Sequence, residues 1–281
     1  MAALADAFDG FILDQWGVLH DGTRPYPGAV ECLQRLHEAG KRIVVLSNSG
    51  KRDAENLRLM AKMGFAAGLL DRFVSAGEDA RIALQSRTEP FHGALGPRCY
   101  AFTRGGDRSL LEGIGLEFVE RVEDADFLAV IGTDSPRRQS TDYDDELQAG
   151  IARRLPMICA NPDIARLTPA GIIEAPGVLA CRYEALGGIV FYHGKPYPRI
   201  YRSCLEALGC APDRVIAIGD SVEHDVLGAA RVGIRSALIP GGVHAAALGV
   251  SWGELPAPEV WRTFASSAAA RPEYLLAAFV W

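Results

Sequence analysis

The sequence predicts an α/β fold with a parallel sheet, interrupted by a separate inserted α/β domain. Three observations predict it. Short apolar runs (FIL at 11–13, RIVVL at 42–46, RVIAIG at 214–219) each end on a polar residue. Buried strands of a sheet covered on both faces read as such continuous apolar runs. Helical patterns alternate with these strands in two regions, near the start of the chain and again from about residue 195, as βαβ units do. The long stretch between them carries strand and helix patterns of its own, and so is a second domain rather than a loop.

In order, the first region reads as strand FIL, helix GAVECLQRLHEAG ending at Gly40, strand RIVVL and helix KRDAENLRLMAKMG. The insertion contributes candidate strands RCYAFT, DFLAVIG, LPMICAN and GIIEAP, with YDDELQAGIARRL as a helix. The second core region reads as helix PRIYRSCLEALG, strand RVIAIG, helix HDVLGAARVG and strand RSALIP. The expected division is residues 1–74 and 190–281 for the core and 75–189 for the insertion.

With 281 residues, 49% of them hydrophobic, the chain can bury a sizeable core. A net charge of −6 provides no basic stripe, so nucleic acid is not an expected partner. The six cysteines form no CxxC pair and no small disulfide frame, which points to thiols in a reducing compartment. No run approaches the roughly 20 apolar residues of a membrane span, and the N-terminus lacks a basic region ahead of an apolar stretch. The expectation is a cytoplasmic protein without a membrane partner; whether it forms a homo-oligomer is left open.

Four short pieces carry the chemistry: FILDQWGVLHDG around Asp14, VVLSNSG around Ser47, GKPYPRIY around Lys195 and AIGDSVEHD around Asp220 and Asp225. Ligands of open α/β sheets sit beyond the carboxyl ends of the strands, so residues distant in sequence converge there. A carboxylate after one strand, a hydroxyl after the next, a lysine and a carboxylate pair suit a metal ion and a phosphoryl group. Each piece alone has a plainer explanation. Asp14 and Asp225 could be turn or cap residues, Asn48 or Ser49 could cap a helix, and Lys195 could be a solvated turn lysine.

Taken jointly, DxxGVLxxG followed by PGA, then SN, GKP and GDSxxHD, the sequence resembles the haloacid dehalogenase (HAD) superfamily hydrolases, specifically their class IIA or NagD-like branch. The resemblance runs from Phe11 to about Pro240. It implies a Rossmann-like core with an inserted α/β cap that covers the site and selects the substrate; GTD at 132–134 and ANPD at 160–163 resemble landmarks of that cap. The segment holding Arg182, Tyr183 and Glu184 resembles another cap region, shortened here.

The resemblance implies Asp14 as the nucleophile, with Ser47 and Lys195 as catalytic partners. Gly17, Ser47, Asn48 and Lys195 would form the phosphoryl-binding set, and Lys51 and Arg52 are further candidates. It implies Mg²⁺ held by Asp14, Asp220, Asp225 and the backbone carbonyl of Trp16. The expected activity is Mg²⁺-dependent hydrolysis of a small phosphorylated metabolite (a sugar, nucleotide or cofactor phosphate) through an aspartyl-phosphate.

One departure matters. The family's DxD is here Asp14-Gln15-Trp16, which removes the second aspartate that protonates the leaving group. An indole N–H cannot deliver a proton at neutral pH. Two alternatives follow: a hydrolase of carbon–halogen or carbon–phosphorus bonds, and a catalytically weak metabolite-binding homologue. His20, in the same loop, is a candidate substitute acid.

Overall fold

A computed structural model describes residues 1–168 and 171–281, which divide into two compact units. The first comprises residues 1–47, 53–74 and 195–281, and the second residues 48–52 and 75–194. Relative to the boundaries expected from sequence, the second unit extends to Gly194 and also takes the short segment 48–52.

The first unit is built on a six-stranded sheet. In spatial order its strands are Tyr274–Leu275, Arg235–Leu238, Val215–Gly219, Gly10–Asp14, Arg42–Ser47 and Arg72–Ser75. The pairings from Arg42–Ser47 across to Tyr274–Leu275 are parallel. Gly10–Asp14 and Val215–Gly219 are buried along their whole length, because helices cover both faces. Alternate residues Phe11, Leu13, Ile43, Val45, Ile216 and Ile218 join one core with Leu33, Leu36, Phe65 and Phe279. Helix Ala29–Glu38 supplies Ala29, Cys32, Leu33 and Leu36, the spacing of one helical stripe. Helix Pro198–Leu208 packs on Gly10–Asp14 and Arg42–Ser47, burying Ile200, Tyr201, Cys204 and Leu208.

The register places the chemistry. Leu13 pairs with Ile218 and Asp14 with Leu46, so Asp14, Ser47 and Asp220 emerge within about one residue of each other at the same sheet edge.

One expected helix differs in form. HDVLGAARVG begins inside a π-helical turn, Val222–Val226, and only Leu227–Arg231 is α-helical. The wide turn lets the Asp225 carboxylate fold back to accept the Ser221 N–H at 3.1 Å, which a regular helix interior does not require. Gly228 admits the Tyr201 ring: a Cβ there would lie 2.2 Å from it.

The second unit has a five-stranded parallel sheet in the order Val190–Tyr192, Met157–Cys159, Phe127–Val130, Arg98–Phe102, Glu117–Phe118. Ala80, Leu84, Cys99, Phe127, Ala129 and Ile158 form part of its core. The expected strand GIIEAP is found as Gly171–Glu174, but it pairs antiparallel with Ala165–Thr168 in a two-stranded sheet separate from that one. No helix among the described residues is long and apolar enough to cross a membrane.

Candidate active site

Within the first unit, Asp14, Lys195, Asp220 and Asp225 come together. Asp14 is the last residue of its strand, and its Oδ1 accepts from the Gln15 N–H at 2.7 Å and from Lys195 Nζ at 2.6 Å. Lys195 Nζ also donates to Asp225 Oδ1 at 2.8 Å. Asp225 Oδ2 accepts the Ser221 N–H, and Tyr201 Oη donates to the His224 carbonyl at 3.0 Å, bracing the turn from below. Asp220 Oδ2 accepts the Val243 N–H at 2.8 Å. One carboxylate oxygen from each of Asp14, Asp220 and Asp225 lies within 4.8 Å of the others.

Three carboxylates here share the Lys195 ammonium, and burial makes that imbalance costly. Burial raises the Asp14 carboxyl well above the usual range; Lys195 opposes this, while Asp225 and Asp220 add to it. Burial, then Asp225, raises Asp220 to about 7. Burial by itself would lower Lys195, but Asp14 and Asp225 more than reverse that, so it remains an ammonium. Such a pocket takes a hard divalent cation well, since all the side-chain donors are carboxylate oxygens. Bare backbone also packs against one of these carboxylates. A Cβ on Gly17 would lie 2.0 Å from Asp220 Oδ2, and one on Gly242 would lie 2.2 Å from the same atom. Gly17, at φ +79°, therefore has a reason beyond a close turn: it lies against Asp220.

Ser47 closes its strand and is buried. The next residue, Asn48, opens the short segment of the second unit, where its amide donates to Asp163 Oδ1 at 2.7 Å. ANPD thereby has a structural role, since Asn161 Oδ1 accepts the Asp163 N–H and steadies the carboxylate that holds Asn48. In GTD, Asp134 Oδ1 accepts the Gly105 N–H and the Thr133 carbonyl accepts from Arg104. Arg52 is bound bidentately by Glu78, at 2.6 and 3.0 Å. Arg182 pairs with Asp144, Tyr183 Oη donates to the Leu155 carbonyl and Glu184 accepts from Tyr192 Oη.

Trp16 is half exposed, and its indole packs on Gly22, where a Cβ would lie 2.2 Å from the ring. The ring also lies edge-on to His20, with centroids 5.4 Å apart. His20 is buried, its Nδ1 accepts the Gly22 N–H at 2.9 Å, and burial lowers its pKa to about 4. It is therefore a neutral imidazole at pH 7 with its proton on Nε2, which weighs against its candidate role as substitute acid. Sequence reading missed the Val243 N–H, Gly242 and Tyr201. The first is a backbone group with no side-chain signature; the PGGVH run was the one available hint.

A family model described as haloacid dehalogenase-like hydrolase matches residues 11–117, and a HAD-hydrolase-like model matches residues 192–266. Chronophin of Mus musculus is 30% identical over 263 residues, covering 86% of this chain and 85% of the relative. Ribonucleotide monophosphatase NagD of Escherichia coli K12 is 25% identical over 238 residues, covering 83% and 87%. The crystal structure of a haloacid dehalogenase-like hydrolase from Brucella suis 1330 superimposes with a TM-score of 0.83 at 29% identity, covering 100% of this chain and 98% of the other.

Proposed function

This chain belongs to the haloacid dehalogenase-like hydrolases, in the class IIA or NagD-like branch, and we propose that it is a Mg²⁺-dependent phosphatase of a small phosphorylated metabolite, working through an aspartyl-phosphate on Asp14. The observation that carries this reading is the asymmetry of Asp14. Its Oδ1 is held by Lys195 and the Gln15 N–H, while Oδ2 has no hydrogen bond among the described residues. Oδ2 is then the oxygen that attacks phosphorus. A P–O bond to Asp14 forms as the bond to the leaving oxygen breaks, and water later attacks the phosphoryl-aspartate to release inorganic phosphate and restore the carboxylate.

Asp14, Asp220, Asp225 and, by family resemblance, the Trp16 carbonyl would hold Mg²⁺, which supplies charge neutralisation to the phosphoryl oxygens. Lys195 holds Asp14 in position and adds positive charge where the transferring group becomes more anionic. Ser47 and Asn48 are the proposed phosphoryl donors, and the 75–194 insertion is the proposed substrate-selecting cap. With Trp16 in place of a carboxylic acid and His20 neutral, the leaving oxygen takes its proton from water. Substrates whose leaving groups need little protonation, such as aryl or acyl phosphates, are therefore favoured over alkyl phosphates.

The purified protein is tested against a panel of sugar, nucleotide, cofactor, aryl and acyl phosphates with Mg²⁺ or with EDTA. Mg²⁺-dependent phosphate release is expected, strongest for the better leaving groups. Release that persists in EDTA, or no hydrolysis of any ester, overturns the reading; in the second case binding without turnover identifies a metabolite-binding homologue.

A further inference from the structure

We propose that the loop at residues 239–244 is a positioning element that fixes the Asp220 carboxylate and the Asp225 turn, so that the site discriminates Mg²⁺ from the larger Ca²⁺. The inference rests on the metal site proposed above. The loop leaves strand Arg235–Leu238 with the Ile239 N–H bonded to the Gly219 carbonyl at 2.8 Å, which sets it beside the strand end that carries Asp220. Three contacts then follow in successive residues. Gly242 brings bare backbone against Asp220, where a Cβ would lie 2.2 Å from Oδ2 and 2.4 Å from the Asp220 Cβ. Val243 donates its N–H to Oδ2 at 2.8 Å, which fixes the rotation of the carboxylate. His244 Nε2 accepts the Val222 N–H at 3.0 Å, tying the same loop to the π-helical turn that contains Asp225. Phe264 holds the His244 ring from the C-terminal helix, with centroids 4.9 Å apart.

One loop thus holds one proposed ligand directly and the turn of a second through its backbone. Mg²⁺ demands near-octahedral geometry at about 2.0–2.1 Å, whereas Ca²⁺ accepts irregular shells at about 2.3–2.6 Å. A carboxylate pair held this firmly suits the smaller, stricter ion, and loosening it costs Mg²⁺ more than Ca²⁺.

The test measures Kd for each ion by calorimetry on the full chain, for wild type, Gly242→Ala, His244→Leu and His244→Gln. Outer groups that orient metal ligands typically contribute about 10–100-fold in affinity. Gly242→Ala and His244→Leu are expected to weaken Mg²⁺ binding by about tenfold or more, and Ca²⁺ by clearly less. His244→Gln, whose amide oxygen can accept the Val222 N–H, is expected to recover most of the Mg²⁺ affinity. Should Gly242→Ala fail to fold, the His244 pair carries the test. Unchanged Mg²⁺ affinity in folded variants, or equal losses for both ions, overturns the inference. A wild-type protein that binds neither ion overturns the metal-site reading itself and this inference with it.

Discussion

Two buried clusters of charged and titratable groups, one in each unit, invite comparison. In the first unit, Asp14 and Asp225 share Lys195, with the Asp220 carboxylate beside them. In the second, two imidazoles lie between two carboxylates. His193 Nδ1 bonds Asp79 at 2.6 Å, its Nε2 lies 3.1 Å from His92 Nε2, and His92 Nδ1 lies 3.2 Å from Glu89. Phe91 and Phe191 pack around these rings. The second cluster sets one imidazole beside each carboxylate, among aromatic rings. The first gathers three carboxylates around one lysine, with two glycines packed bare against Asp220. Burial alone therefore does not mark a reactive site; charge left for a ligand to complete does.

Four expected outcomes would break or sharpen this contrast. Asp14→Asn should lower turnover by at least on the order of a thousandfold, because it removes the attacking oxygen, while calorimetry still detects Mg²⁺ binding. Near-normal turnover would discard the covalent route. Trp16→Asp restores a carboxyl group where the family carries one, and should raise hydrolysis of an alkyl phosphate by about a hundredfold while changing an aryl phosphate much less. Equal gains on both would show that leaving-group protonation is not what limits the natural chain.

His193→Ala removes the imidazole that bonds buried Asp79 at 2.6 Å, and should cost about 1–3 kcal/mol in chemical denaturation while leaving the Mg²⁺ affinity of the folded protein unchanged. A matching loss of Mg²⁺ affinity would mean the two clusters are not independent. The smallest effect concerns pH. Asp220 titrates near 7, and only its ionised form binds the cation, so Mg²⁺ affinity should fall by up to about tenfold per unit as pH drops below 7. Without metal the sign of stability is opposite. The folded carboxyl binds its proton more tightly than the unfolded one, so melting in EDTA should move to higher temperature as pH falls from 8 toward 6. Asp220→Asn should flatten both profiles.

Much of this arrangement was legible in the sequence. An apolar run ending in a polar residue marks a strand end, and that pattern located Asp14, Ser47 and Asp220 before any geometry was known. Other parts left no such trace. Val243 acts through its N–H, which every residue except proline has. The two-residue strands Glu117–Phe118 and Tyr274–Leu275 are too short to show a period. The His193 to Asp79 bond joins residues 114 apart with no motif around either. His20 was readable as a loop histidine, but its protonation depends on the burial of its ring. The π-helical turn at Val222–Val226 reads as ordinary helix because the groups that grip it, Lys195 on Asp225 and His244 on the Val222 N–H, come from 30 and 22 residues away.

The division of the chain also bears on how such proteins can be recombined. The polypeptide passes from one unit to the other at 47/48, 52/53, 74/75 and 194/195. The pieces of the second unit are bonded to each other: Asn48 to Asp163, the Lys51 carbonyl to Ser75 Oγ, and Arg52 to Glu78. A chimera that exchanges only residues 75–194 with a relative would leave 48–52 facing foreign partners. The transplantable module is therefore discontinuous, and an exchange has to move both segments together.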